Sequence, residues 1–129
     1  MLSILLYGAE TWTFYRKHIN QLDAFHMRCL RVICGIKWDD RVRNSTILKR
    51  CNIAGIETLQ AKIQLRWAGH VVRMNENRLP KKILYGQLPN AKRSIGRPLL
   101  RYKDKLKDNL KRLDIDLSAW EDLASDRKE

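Results

Sequence analysis

Between Glu57 and Met74 a helix has room for polar residues on one narrow stripe only. On a 3.6-residue wheel Leu59, Ile63, Trp67, Val71 and Met74 form one apolar sector, and Ala61, Leu65, Ala68 and Val72 form a second. Lys62, Arg66 and Arg73 occupy what remains, and His70 borders that seam. A helix apolar around most of its circumference has to be covered on two faces, because an uncovered face would leave hydrocarbon in water. This segment is therefore expected at the centre of the fold, with its basic seam turned to solvent or to a ligand.

The rest of the sequence supplies partners of the same kind. Ile19, Leu22, Phe25, Cys29 and Val32 recur at spacings of three and four, which predicts a helix over about 16–34 with Gly35 as its stop. Lys17, Gln21, Arg28 and Arg31 trace its polar side. Residues 3–12 read as a short helix or packed turn, and Asn44 or Ser45 is placed to cap a short helix ending at Cys51. Pro80 suits the first turn of a short helix to Tyr85. Pro98 is expected to start another helix, with Leu99, Tyr102, Leu106, Leu110 and Leu113 as its apolar stripe. Ser118 and Glu121 read as a capping box before a terminal helix. Nowhere do Val, Ile and Thr alternate over a run long enough to predict a strand. The expected fold class is all-α: a compact bundle of about five to six helices, with a basic loop around residues 86–98. Two segments, 1–85 and 86–129, are expected to pack as one domain or as closely joined parts.

The chain carries 26 Lys and Arg against 14 Asp and Glu, a formal net charge of +12. Residues 41–112 hold most of the excess, and the last seventeen residues reverse it with two basic and six acidic side chains. Such an imbalance favours polyanionic partners through release of counterions. The acidic end reads either as a solvated terminus or as a cover for part of the basic surface. RNA or DNA, contacted mainly through phosphates, is the expected partner, with no membrane. The candidate contacts are Lys62, Arg66, His70 and Arg73 on the central helix, Lys92, Arg93 and Arg97 in the loop, and Arg101, Lys103 and Lys107 beyond it. Gly96-Arg97-Pro98 resembles the core of an AT-hook, which lays arginine in a narrow minor groove, but lacks the second Arg–Gly flank.

No residues assemble into a catalytic set. Asp39 and Asp40 follow a helix end, where adjacent carboxylates serve as a local cap or a solvated loop. His26, Cys29, Cys34 and Cys51 do not form the two close ligand pairs of a tetrahedral zinc site, so no metal is expected. There is no phosphate-cradling glycine loop. Three cysteines and no secretory leader predict reduced thiols inside a cell, nuclear or cytoplasmic and not secreted.

Five runs together carry a resemblance: LLYGAETW (Leu5–Trp12), FHMRCLR (Phe25–Arg31), QLRWAGHVVRM (Gln64–Met74), RLPKKILYG (Arg78–Gly86) and KRSIGRPLLRYKDKLK (Lys92–Lys107). In this order the chain resembles the C-terminal part of the endonuclease–reverse transcriptases of non-LTR (LINE-like) retrotransposons, over almost its whole length. The resemblance implies the thumb and the helical segment beyond it, with residues 1–85 as a thumb-like core. In that family this region holds template RNA and the primer–product duplex. The family's catalytic aromatic-x-Asp-Asp hairpin has no counterpart here, and Asp39 and Asp40 lie downstream of its place. Magnesium therefore belongs to the absent palm, and the resemblance implies a fragment with no cofactor and no enzymatic activity of its own. The alternatives are a non-enzymatic DNA- or protein-binding module derived from the element, and a relic without function. A protein-binding module would present the Leu99, Tyr102 and Leu106 stripe to its partner.

Overall fold

The computed structural model describes residues 2–86, 95–96 and 100–126. Seven α-helices run in order: α1 (Leu2–Leu5), α2 (Arg16–Ile33), α3 (Asn44–Cys51), α4 (Ile56–Val72), α5 (Leu79–Tyr85), α6 (Tyr102–Arg112) and α7 (Trp120–Ser125), with 3-10 turns at Ala9–Thr11 and Trp38–Asp40. Among the described residues there is no strand, and the fold class is all-α. Nearly all of the 86–98 loop, together with Pro98 and Leu99, lies outside the described residues. The chain divides into two compact units, Phe14–Lys62 and Met1–Thr13 with Ile63–Glu129.

In the Phe14–Lys62 unit, α2 ends where the sequence places its stop. Gly35 takes a left-handed φ of 64°, and the Ile36 N–H closes back onto the Arg31 carbonyl at 2.9 Å, the doubly closed end that glycine permits at low cost. The buried side of α2 is not the predicted one. Ile19, His26, Met27 and Leu30 are buried, whereas Phe25 is 47% and Val32 76% exposed. The buried face lies about a third of a turn around the helix from the Leu22, Phe25, Cys29 and Val32 line. Hydrophobicity alone misplaced it because a histidine took the place of an apolar side chain. The core of this unit is Met27, Leu30 and Ile47, packed by Ile36, Val42, Leu48, Cys51 and Ile53. Arg31, expected on the polar side, anchors the connection by donating to the Val42 carbonyl at 2.8 Å and to Asn44 Oδ1 at 2.9 Å. Asn44 thus accepts from Arg31, and Arg43 stands at the N-cap of α3 with no side-chain cap, so neither Asn44 nor Ser45 caps that helix. Asp40 Oδ2 accepts from the Lys37 N–H at 2.8 Å, which is the local cap expected of it.

His26 has no exposed surface, and neither ring nitrogen has a hydrogen-bond partner among the described residues. Burial holds its pKa below the ordinary 6.5, with the Asp23 carboxylate opposing. The unfolded chain therefore takes up the imidazole proton at a higher pH than the folded chain does. Stability is expected to be fully present above about pH 6.5 and to fall as the pH drops toward the lowered folded-state value. Urea midpoints measured at descending pH should show this loss, and His26→Gln should blunt it; equal slopes for the two proteins would refute the assignment.

The other unit packs α4, α6 and α7 around Ala68, Leu106 and Leu110, with Leu65, Tyr102, Ile115 and Trp120 against them. Trp67 and Tyr102 meet edge to face, ring centroids 5.6 Å apart, a geometry favoured by the ring quadrupoles. The wheel of α4 omitted its polar core. Gln60 and Gln64 are buried on it. Gln64 Nε2 donates to the Trp12 carbonyl at 2.6 Å, and Asn109 Nδ2 of α6 donates to Gln64 Oε1 at 2.8 Å. One side chain thus joins the N-terminal segment, α4 and α6. Lys81 Nζ donates to the carbonyls of Val72 and Met74, both at 3.0 Å, satisfying groups that the end of α4 leaves open.

Two helix starts differ from expectation. α6 begins at Tyr102, where Asp104 Oδ2 accepts from the Arg101 N–H at 3.0 Å. α7 begins after Ala119 with no side-chain cap, and the Ser118 N–H is instead bonded to Asp116 Oδ1 at 3.0 Å. The Tyr102–Leu106 stripe is not offered to a partner: Leu106 is 5% exposed and lies in the unit's own core.

Candidate nucleic-acid interface

On α4 the spacing of four and four puts Lys62, Arg66 and His70 along one side of the helix, Arg73 follows in the turn just past its end, and all four are exposed. Ala68, which packs against α6, lies about half a turn away. The burial of Ala68, Val71 and Val72 therefore forces the basic side outward. Among the described residues Lys62, Arg66 and His70 form no ion pair. Arg16 and Glu57 form an ion pair at 2.8 Å, and Arg16 is mostly solvated, so its contribution is small.

Arg73 has a second engagement. Its Nη1 donates to the Ala124 carbonyl near the end of α7, a site where a cation meets the negative end of the helix dipole. Gly69 lies beside this link: a Cβ there would meet Arg73 Nη1 at 3.4 Å and Ala124 Cβ at 3.8 Å, ordinary contact distances. Tyr85 Oη donates to Glu121 Oε1 at 3.0 Å, and burial together with that bond pushes the phenol up to about 12, so it stays protonated. Arg66 and Arg73 line a cavity of about 690 Å³ whose other walls include Trp120, Leu123, Ala124 and Asp126. The C-terminal segment thus touches the seam at Arg73, while Arg66 and Arg73 both stay exposed.

On α6, Arg101 and Lys107 are exposed. Lys103 stands over the Tyr85 ring, 6.0 Å from its centroid, and borders an apolar cavity of about 370 Å³ with Trp67, Leu79, Pro80, Ile83 and Tyr102. The packing of α4 on α6 turns the α4 row away from α6, so this contact does not merge the two basic sets into one cleft. Lys92, Arg93 and Arg97, and with them the Gly96-Arg97-Pro98 motif, lie outside the described residues except for Gly96. The Arg73–Ala124 link was not visible in the sequence, since it joins residues 51 positions apart. Among the described residues no three His, Cys, Asp or Glu side chains gather as metal ligands, and no helix is long and apolar enough to cross a membrane. Among the described residues the row presents solvated cations on one side of α4.

The chain is similar to a Caenorhabditis elegans protein whose name describes it as transposon-derived and uncharacterized. The two are 28% identical over 136 aligned positions, which take in the whole of this chain and 49% of the other. The chain thus spans about half the length of the curated relative it matches. No protein-family model matches it, and no solved structure does.

Proposed function

We propose that the chain derives from a transposon and is the thumb and post-palm part of a non-LTR retrotransposon reverse transcriptase, binding template and primer nucleic acid without catalysing synthesis. The observation that carries this is the outward row Lys62, Arg66 and His70 on α4, with the exposed Arg73 just past its end. Side chains at successive turns of a rigid helix stand about 5–6 Å apart, a spacing that lets several phosphates of one strand be met together. The similarity to a transposon-derived protein supports the origin, and the five sequence runs support the finer family. Polymerase chemistry and magnesium belong to a palm that these residues do not include.

Fluorescence anisotropy with a labelled primer–template duplex tests the reading. If about four phosphates are neutralised, affinity should weaken about a hundred-fold between roughly 50 and 200 mM salt. Arg66→Ala should lower affinity alike for unrelated sequences and reduce the slope of log affinity against log salt by about one. Affinity indifferent to salt would refute the proposal.

One observation favours a second reading, a protein-binding module derived from the element. Within the Phe14–Lys62 unit the adjacent Val32 and Ile33 at the end of α2 are each more than 70% exposed, an apolar site that a partner could cover. Tight, salt-insensitive capture of a protein in place of nucleic acid would favour it.

A further inference from the structure

Within the Phe14–Lys62 unit, two thiols meet where α2 and α3 end. Cys34 directly follows the last residue of α2, and Cys51 is the last residue of α3. Their Sγ atoms stand 3.2 Å apart in hydrogen-bond contact, and both residues are partly exposed. The backbone holds both ends. The left-handed Gly35 and the Ile36 N–H to Arg31 carbonyl bond fix the first, and the left-handed Asn52 with the Ile53 N–H to Leu48 carbonyl bond fixes the second. A cysteine side chain has a single rotatable bond before its sulfur, so a held backbone holds the sulfur too. A sulfur–sulfur bond is about 2.0 Å long, so joining these atoms requires a shift of only about an ångström, within the reach of a side-chain rotation.

Cys29 is placed differently. Five residues before Cys34, it lies about 140° around the helix from it and has no thiol neighbour among the described residues. The site is thus a specific pair and not a general abundance of thiols.

We propose that Cys34 and Cys51 form a redox-sensitive dithiol that a two-electron oxidant of the peroxide class converts into an intramolecular disulfide. One thiol takes an oxygen atom from hydrogen peroxide, giving a sulfenic acid and one water. The second thiol then attacks the sulfenic sulfur; the S–O bond breaks, the S–S bond forms and a second water leaves. Both sulfurs are oxidised by one electron each, and the peroxide is reduced to two waters. The 3.2 Å contact lets whichever thiol is oxidised first be resolved by the other. The link would join positions 17 apart, closing the polar connection between α2 and α3 around the Arg31 anchor. It restricts the unfolded chain more than the folded one, because the folded sulfurs already touch.

The test uses the full chain, treated with hydrogen peroxide and digested without reductant. The expected product is a linked pair of peptides carrying Cys34 and Cys51, lighter by two hydrogens, reversed by dithiothreitol and formed equally by Cys29→Ser. Its urea midpoint should lie above that of the reduced chain. Cys51→Ser should instead leave a sulfenic acid on Cys34 that dimedone traps. Links through Cys29, dimers between chains, or separate oxidation of Cys34 and Cys51 without a link would each overturn the proposal.

Discussion

Leu106→Asp is expected to unfold the α4–α6 core, not to release a binding partner. Leu106 packs against Ala68 and Leu110 and is 5% exposed. Removing its hydrocarbon leaves a cavity, which in a packed core costs about 2–5 kcal/mol for Leu→Ala. The aspartate adds a carboxylate with no cation in that cluster, which must either stay charged in an apolar setting or be protonated at a further cost. The combined loss, about 4 kcal/mol or more, is comparable to the whole stability of a small domain. Circular dichroism should show lost helix and no cooperative transition, and hydrogen exchange should show α4 and α6 unprotected. Lys107→Asp, one residue on and exposed, should keep its melting transition within a few degrees of wild type. A cooperatively folded Leu106→Asp protein would refute the assignment of this stripe to the core.

Gln64→Leu should cost about 2–4 kcal/mol although the new side chain is apolar and similar in size. The substitution removes the side-chain donor to the Trp12 carbonyl and the acceptor of Asn109 Nδ2. Asn109 is 1% exposed, and its Oδ1 already lacks a hydrogen bond among the described residues. The buried, orphaned Asn109 amide costs about 1–3 kcal/mol and the lost bond to Trp12 about 0.5–1.5 kcal/mol, partly offset by the burial of leucine. The pair can be separated by a double-mutant cycle. Asn109→Leu alone should also destabilise, whereas the two together should recover part of the loss, because no asparagine remains unsatisfied. Strict additivity of the two losses in chemical denaturation would show that the bond between them contributes nothing. Tryptophan fluorescence should shift in Gln64→Leu as the Trp12 segment loosens.

These two substitutions also separate what periodicity can report from what it cannot. The 3.6-residue spacing of apolar side chains located α2, α4 and α6 to within a few residues, because burying one face is what makes such helices stable. The left-handed Gly35 and the proline in the first turn of α5 were legible for a local reason, the backbone angles these residues favour. The outward basic row of α4 followed from the same wheel, since a helix buried on two sides leaves its cations one direction to point.

Three things were not local. Phe25 and Val32 read as core, yet Met27, Leu30 and His26 were buried instead, because facing side chains such as Ile47 select which stripe is covered. Ser118 read as a cap, yet Asp116 took its N–H. Gln60 and Gln64 have no place on a wheel that scores only hydrophobicity, yet they are buried. For Gln64 the reason is visible: its partners are a carbonyl 52 positions away and an amide 45 positions away.

The sequence by itself determined an all-helical chain, a central helix with one basic side, and a charge suited to polyanions, because repeat spacing and net charge need no knowledge of what lies opposite. The tertiary structure alone decided that Met1–Thr13 joins Ile63–Glu129 as one unit, that Arg73 is tied to α7 while Arg66 faces the same cavity, and that Cys34 meets Cys51 and not Cys29. Each of those depends on which distant groups meet, and such pairing is set by packing and by the need to satisfy buried polar atoms, not by the order of residues along one helix.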